Sequence, residues 1–457
     1  MINKYIFREY DIRGKVADDF PPDVVENLGK GFGSLVKRAG GQEISLSGDV
    51  RLTTPNLIEQ FKTGLLSTGV DVINIGILPT PVNYFSMFEL GVFGAVQITG
   101  SHNPPEFNGF KLSMERKAVF GEQIQDIRAI IEKEDYETGE GSEVMHNLKA
   151  VYKKMILDKI NIERPIKVVM DCGNAAGAIL APEIFNNMEN VELTEFYCDI
   201  DGTFPNHHPD PTVKENLADL ICAMKTGQYD IGVAFDGDAD RVGVVDETGE
   251  IIWADQLMSL FLPEVIQNEG EEILYDVKCS QALEEMIAKH GGTPVMWKTG
   301  HSLIKQRMHE LGCRFGGEMS GHIFFADDYY GYDDAIYVAA RAVQMLSRSK
   351  QALSEMVESL PKYYSTPEMR MAAENDEEKF RIAEEAVAYF TANYDCSTVD
   401  GVRIRFGDGW GLVRSSNTQP VIVCRFEADS HERMEEIKNL VLNKLSEFGT
   451  LQQDAGH

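Results

Sequence analysis

Short, unbroken apolar runs recur along the first three-quarters of the chain, and segments with helical spacing lie between them. The first round predicts strands at 44–49, 72–75 and 94–99, with helices at 55–66 and 82–90. The second predicts strands at 166–171, 191–197 and 230–235, a helix after Gly173 and Asn174, and another at 214–224. The third predicts strands at 272–277, 293–297 and 313–316. Runs without polar alternation suit parallel sheets covered on both faces. Each round ends in a polar loop where its last strand stops: 99–111, 236–241 and 318–322. Ligands bind beyond the carboxyl ends of strands in open α/β sheets, so three such loops predict one shared cleft. The repeat is one of pattern, without residue-level self-similarity. The remainder differs, with a helix at 377–393, strands at 402–406, 411–414 and 421–426, and a closing helix at 432–448. That order predicts a small α+β domain, with 361–371 as the linker before it.

Composition narrows the class. The 457 residues are 43% hydrophobic and 25% charged, and they suffice for three or four domains of about 100–200 residues each. No apolar run is long enough to span a membrane, and the stretch from Met1 to Phe7 lacks the apolar core of a signal peptide. Seven cysteines lie scattered at 172, 198, 222, 279, 313, 396 and 424 without a CxxC pair. Reduced thiols in a cytoplasmic protein are the expectation. The formal net charge of −30 repels nucleic acid. It repels small anions too, so an anionic substrate would need basic residues gathered in one cleft.

Four loops carry candidate chemistry. Asp236, Asp238 and Asp240 stand at alternate positions after an apolar strand. Two like charges ~5 Å apart repel by roughly 3 kcal/mol at an effective dielectric near 20, so three together favour a cation. Oxygen ligands select Mg²⁺ or Mn²⁺ over Zn²⁺. The plain alternative is an exposed acidic turn. Ser101, flanked by Gly100 and His102, can be a nucleophile at a strand end, or part of an ordinary turn. Lys111 lies close enough downstream to return to the same place. Glu318 and Ser320, set between glycines, suit two sugar hydroxyls or a capping turn. Arg414, Ser415, Ser416, Asn417 and Thr418 suit a phosphate, or a polar turn.

Together and in this order, the four loops resemble those of the α-D-phosphohexomutase superfamily, most nearly its bacterial phosphomannomutase/phosphoglucomutase branch. Further matches are Tyr10 to Gly14, DGTFPNHHPDP at 201–211, Asp276 to Cys279, Lys298 to His301, and GWGLVRSSNTQP at 409–420. The resemblance implies an α/β fold: three related α/β domains with mixed sheets sandwiched by helices, plus a smaller α+β C-terminal domain, around a central cleft. The expected boundaries are 1–147 for a phosphoserine domain, 148–250 for a metal-binding domain, 251–363 for a sugar-binding domain and 364–457 for a phosphate-binding domain. Ser101 would carry the phosphoryl group, and its phosphate would join Asp236, Asp238 and Asp240 on one Mg²⁺. Glu318 and Ser320 would bind sugar hydroxyls. Arg414, Ser416, Asn417 and Thr418 would hold the unreactive phosphate, and Tyr10, Lys278, Thr299, Gly300 and His301 would help bind substrate. Ala239 departs from a glycine common in the metal loop, which matters if that position needs φ > 0. The segment 48–51, with Asp49 and Arg51, matches the family's first-domain arginine segment only loosely.

The implied reaction moves a phosphoryl group between positions 1 and 6 of mannose or glucose phosphates through a 1,6-bisphosphate. Glucose 1,6-bisphosphate would be an activator. Lys111, Arg241 and Arg13 would supply positive charge, and His102 and Lys111 are the candidate acid and base. Phosphoglucosamine mutase is the runner-up, a sugar phosphatase a further rival, and a non-catalytic binding protein would carry a broken loop. Hexose phosphates are the expected partners, with no nucleic acid and no membrane, in a monomer or dimer.

Overall fold

The computed structural model describes residues 2–416 and 421–453. Four sheets organise it. In the first, strands Glu43–Gly48, Asp71–Ile77 and Gly94–Ile98 run parallel, and Phe107–Met114 returns antiparallel beside Gly94–Ile98. In the second, Ile166–Asp171, Val191–Phe196 and Ile231–Phe235 are parallel, and Val242–Asp246 returns beside Ile231–Phe235. In the third, Glu272–Asp276, Thr293–Trp297 and Phe315–Gly317 are parallel, and Ile323–Phe325 returns beside Phe315–Gly317. The spatial order is the same each time: return strand, third, first, second. The polar loop singled out in each round is therefore the turn between the third strand and its antiparallel return.

The three sheets are mixed, as the resemblance implied, whereas the apolar pattern alone predicted only their parallel part. Short edge strands extend the first sheet: Ile12–Lys15 pairs with Phe107–Met114, and Glu143–Met145 with Asp71–Ile77. The expected strands and helices lie within a few residues of those observed. Helix Pro22–Arg38, not predicted, buries Val25, Leu28, Phe32 and Val36 at helical spacing, with proline at its start and Lys37 and Arg38 in its last turn.

One apolar cluster joins the first three sheets. It runs from Val82 and Phe85 through Tyr152 and Phe185 to Phe261 and Tyr337. Helix Ala335–Arg348 is buried along nearly its whole length and packs against the second sheet. Among the described residues, no helix is long and apolar enough to cross a membrane.

The C-terminal sheet is antiparallel, built on Val402–Arg405, Gly409–Ser415 and Val421–Ala428. It has its own core under helices Asp376–Asn393 and His431–Phe448. The expected linker is part of this sheet: Tyr364–Ser365 and Met369–Ala372 both pair with Val421–Ala428. Met369 and Met371 alternate with polar neighbours and pack against the C-terminal core, which a free linker would not do.

This unit meets the third sheet through arginines set around a small buried apolar cluster of Val277, Trp410 and Leu412. Arg403 donates to the carbonyls of Val277 and Cys279 at 2.8 and 2.9 Å. Its guanidinium lies 3.8 Å from the ring centroid of the buried Trp410. Arg425 donates to the carbonyl of Lys278. Arg403→Ala should leave two buried carbonyls unpaired, at about 1–3 kcal/mol each, and should lower the thermal unfolding midpoint by several degrees. An unchanged midpoint would mean that Arg403 does not hold this junction.

Candidate active site

The loop after Gly94–Ile98 is built around a buried arginine. Arg51 is 1% exposed. It donates to the carbonyls of Ser101 at 2.8 Å, Pro104 at 2.7 Å, Phe107 at 3.0 Å, and also Asn103. Asp49 accepts from Thr99 Oγ1 at 2.8 Å, and Thr99 Oγ1 accepts from the Ser101 N–H at 2.8 Å. These bonds hold Ser101 at φ 49°, a left-handed conformation that non-glycine residues seldom adopt. Ser101 Oγ then lies 3.1 Å from His102 Nδ1 and 3.1 Å from Asp236 Oδ2. Gly237 makes the contact possible, because a Cβ there would meet the Ser101 carbonyl at 2.2 Å.

Asp236, Asp238 and Asp240 are fully buried, and one oxygen of each lies within 4.8 Å of the others. The Asp240 and Arg241 N–H groups both donate to Asp236 Oδ1 at 3.1 Å. Lys111 donates to Asp238 at 2.7 Å and to Asp240. Thr80 also donates to Asp238. Ala239 is at φ 59°, so the position does require the left-handed conformation that its glycine departure put in question. Burial, then Asp240 and Asp238, push the Asp236 carboxyl well above its ordinary range. Burial works against the Lys111 ammonium, but Asp238 and Asp240 hold it well above the usual lysine range. Asp238 Oδ1 and Asp240 Oδ1 remain buried without a hydrogen-bond partner. Unpaired carboxylate oxygens beside a third carboxylate fit a hard cation with oxygen ligands.

A third wall comes from the turn before Ile323–Phe325. Arg241 Nε donates to His322 Nε2 at 2.9 Å, which places the imidazole proton on Nδ1. His322 Nδ1 is 2.9 Å from Asp333 Oδ2. Lys305 pairs with the other Asp333 oxygen at 2.7 Å, and His301 Nδ1 is 3.5 Å from Oδ2. Sequence reasoning assigned no role to His322 or Asp333. The signal available was His322 closing the sugar loop, whereas Asp333 lay within an acidic, tyrosine-rich run that reads as surface.

On the wall beyond, the Gly300 N–H donates to Glu318 Oε1, and Tyr10 Oη donates to the Thr299 carbonyl at 2.8 Å. Burial raises the Glu318 carboxyl, with Asp276 adding to the shift and His322 opposing it. Lys278 pairs with Glu368 at 3.3 Å and holds that carboxyl down at about 2. Arg414 pairs with Asp400 at 2.8 Å, and Asp400 also accepts from the Thr299 N–H at 3.1 Å. Ser320 is half-buried and Ser416 buried. Asn417 and Thr418 lie outside the described residues.

Thus Ser101, His102, Lys111, Arg241 and the three aspartates meet through direct hydrogen bonds. Arg13 joins them by donating to Asn103 Oδ1 at 3.0 Å and to Asp11 at 2.6 Å. Tyr10, Thr299, Gly300, Glu318 and, through Asp400, Arg414 form a second linked group, Lys278 pairs with Glu368, and His301 lies against Asp333. Burial, then Arg241 and Arg13, hold the His102 imidazolium well below the usual histidine range, so the ring is neutral at pH 7.

Four phosphoglucomutase/phosphomannomutase family models match in sequence order: alpha/beta/alpha domain I at 4–138, domain II at 147–249, domain III at 253–364 and the C-terminal domain at 368–444. The chain belongs to this family. It is 44% identical to a phosphomannomutase/phosphoglucomutase of Pseudomonas aeruginosa over 443 residues, covering 96% of this chain and 95% of that one. It is 41% identical to a phosphoglucomutase of Neisseria gonorrhoeae over 443 residues, covering 96% of each. The crystal structure of a phosphoglucomutase/phosphomannomutase family protein from Burkholderia thailandensis superposes with a TM-score of 0.93 at 40% identity, covering 99% of this chain and 100% of that one. The phosphohexomutase fold and the mutase class of this chain follow from these likenesses.

The buried His322–Asp333 pair can be tested directly. Asp333→Asn removes the charge that faces His322 Nδ1 at 2.9 Å and pairs with Lys305 at 2.7 Å. Turnover should fall by about a hundredfold or more, while the circular dichroism spectrum stays unchanged. Retention of more than half of the rate would deny the pair a role in the site.

Proposed function

We propose that the chain interconverts hexose 1-phosphates and 6-phosphates through phospho-Ser101 and a 1,6-bisphosphate. The observation that carries this is the Ser101 hydroxyl, held in a strained loop against both His102 and Asp236. A plain turn needs neither the buried arginine beneath it nor three buried aspartates beside it.

Phosphoryl transfer is catalysed mainly by positioning and charge stabilisation. Ser101, once phosphorylated, presents its group to the free hydroxyl of a bound sugar phosphate. Asp236, Asp238 and Asp240 would hold Mg²⁺ together with the Ser101 phosphate, and the ion would supply positive charge to the phosphoryl oxygens. Lys111 arrives already protonated on the acidic side of the site. It serves as a positive charge rather than as a base. Arg241 and Arg13 flank the serine loop and face the same charge. His102, neutral and 3.1 Å from Ser101 Oγ, is the group suited to accept a proton when the serine is rephosphorylated. Glu318 and Ser320 would clamp the 3- and 4-hydroxyls, which lie nearly symmetrically between positions 1 and 6. Arg414, with Ser416, Asn417 and Thr418, would hold the distal phosphate. Glucose 1,6-bisphosphate would restore phospho-Ser101 after an intermediate escapes.

Ser101→Ala should lower steady turnover at least ten-thousandfold, since the relay loses its carrier. Intact-mass analysis of active protein should find one phosphate that this variant lacks. Turnover above about a hundredth of wild type would refute the role given to Ser101.

Specificity follows from the clamp. Met319, between Glu318 and Ser320, is tied by its N–H to Asp276 at 3.2 Å, and its sulfur lies against Arg425. It offers a 2-amino group no strong hydrogen-bond partner. Comparing kcat/KM for mannose, glucose and glucosamine 1-phosphates should therefore find the first two within about a hundredfold, or roughly 2.7 kcal/mol, and the third poorest. A preference for glucosamine 1-phosphate would move the chain to that branch and leave the phosphoserine chemistry standing.

A further inference from the structure

Cys172 and Cys198 bring their sulfurs to 3.2 Å from each other. Both thiols are free; Cys172 is buried and Cys198 partly exposed. They follow neighbouring parallel strands, Ile166–Asp171 and Val191–Phe196, and the Cys172 N–H donates to the Phe196 carbonyl at 3.1 Å. Each roots a loop that reaches the reacting serine. After Cys172, the Ala176 N–H donates to the Gly237 carbonyl at 3.2 Å, in the loop of aspartates. After Cys198, a ring nitrogen of His208 contacts the His102 carbonyl. On the same loop, the Phe204 ring centroid lies 5.3 Å from the Arg51 guanidinium.

We propose that Cys172 and Cys198 are a peroxide-responsive dithiol whose closure to a disulfide shifts the loops around Ser101 and lowers turnover. The sulfur of Cys198, the more exposed of the two residues, attacks the O–O bond of hydrogen peroxide, giving a sulfenic acid and one water. The Cys172 sulfur then attacks the Cys198 sulfur. The S–O bond breaks, and the departing hydroxide takes the thiol proton as a second water. Two thiols are oxidised and one peroxide is reduced to two waters. Burial raises the Cys172 thiol well above the ordinary range, which makes it the resolving sulfur and makes closure faster at alkaline pH.

Bond formation requires a separation of about 2.05 Å, so the sulfurs approach by roughly 1.1 Å. A close-packed interior passes such a shift to its neighbours. A displacement of about 1 Å at reacting groups can reduce rate about a hundredfold.

The test treats the reduced, desalted full-length protein with a small excess of hydrogen peroxide. Peptide mapping without reductant should find a Cys172–Cys198 linked peptide. Turnover should fall about tenfold or more and return with dithiothreitol. Cys198→Ser should keep its rate under peroxide, with Cys198→Ala as the second variant, while Cys222→Ser should respond as wild type. Absence of the linked peptide, or equal inhibition of the Cys198 variants, would overturn the proposal. A linked peptide with unchanged turnover would overturn the coupling to the serine loop. The peptide readout does not use mutase activity, so it is separable from the function proposed above.

Discussion

Three carboxylates buried at one seam govern the rest of this structure. Removing an ion from water costs several kcal/mol even after relaxation, and like charges add to that. The loop of Asp236, Asp238 and Asp240 is tolerable only with positive groups brought to it. Lys111 comes from the return strand of the first sheet, and Arg241 stands directly after the loop. The first two sheets must therefore hold their relative positions closely, and the shared apolar cluster that crosses them supplies that rigidity. Two carboxylate oxygens are still left unpaired, which is the electrostatic reason for a cation there. The net charge of −30 repels an anionic substrate from the molecule as a whole, so its reception depends on local cations such as Lys111 and Arg241.

The threefold plan explains why one cleft results. Each sheet ends its third parallel strand in a turn that leads to an antiparallel return, and the three turns meet: Ser101 bonds Asp236, and Arg241 bonds His322. The parallel strands were legible because their apolar runs are continuous. The return strands were not. Phe107–Met114 carries Asn108, Lys111 and Ser113, all buried, and polar residues that serve a site look like loop in a sequence. Ile323–Phe325 is too short to register.

The same reasoning applies to the site. Its four loops were legible because their residue types are dense and ordered. His322 and Asp333 escaped notice because their burial, not their identity, makes them significant. Arg51 was noticed only as a loose match, yet the structure gives it four backbone carbonyls and the reacting loop. Carbonyl acceptors have no sequence signature, so an arginine serving them cannot be distinguished from a surface one by pattern.

The bisphosphate must turn over between two transfers without escaping, and this sets opposite demands on the walls. The side holding Ser101 must stay fixed, and it belongs to the part of the chain with a common core. The side holding Arg414, proposed above to take the distal phosphate, would have to release and regrip it. It belongs to a unit with its own core, joined by charged hydrogen bonds from Arg403 and Arg425 to the carbonyls of Val277, Lys278 and Cys279 around a small apolar cluster of Val277, Trp410 and Leu412. Water can replace such bonds during motion, whereas opening an apolar core exposes surface at about 25 cal/mol per Å². The Lys278 carbonyl belongs to that junction, and the Lys278 side chain pairs with Glu368 in the segment leading to the C-terminal sheet. Any change in the posture of the C-terminal unit is therefore felt at Lys278. A small junction of arginine bonds around a few buried apolar side chains, beside a core shared by three sheets, is the arrangement that would let one wall of the cleft move while Ser101 stays in place.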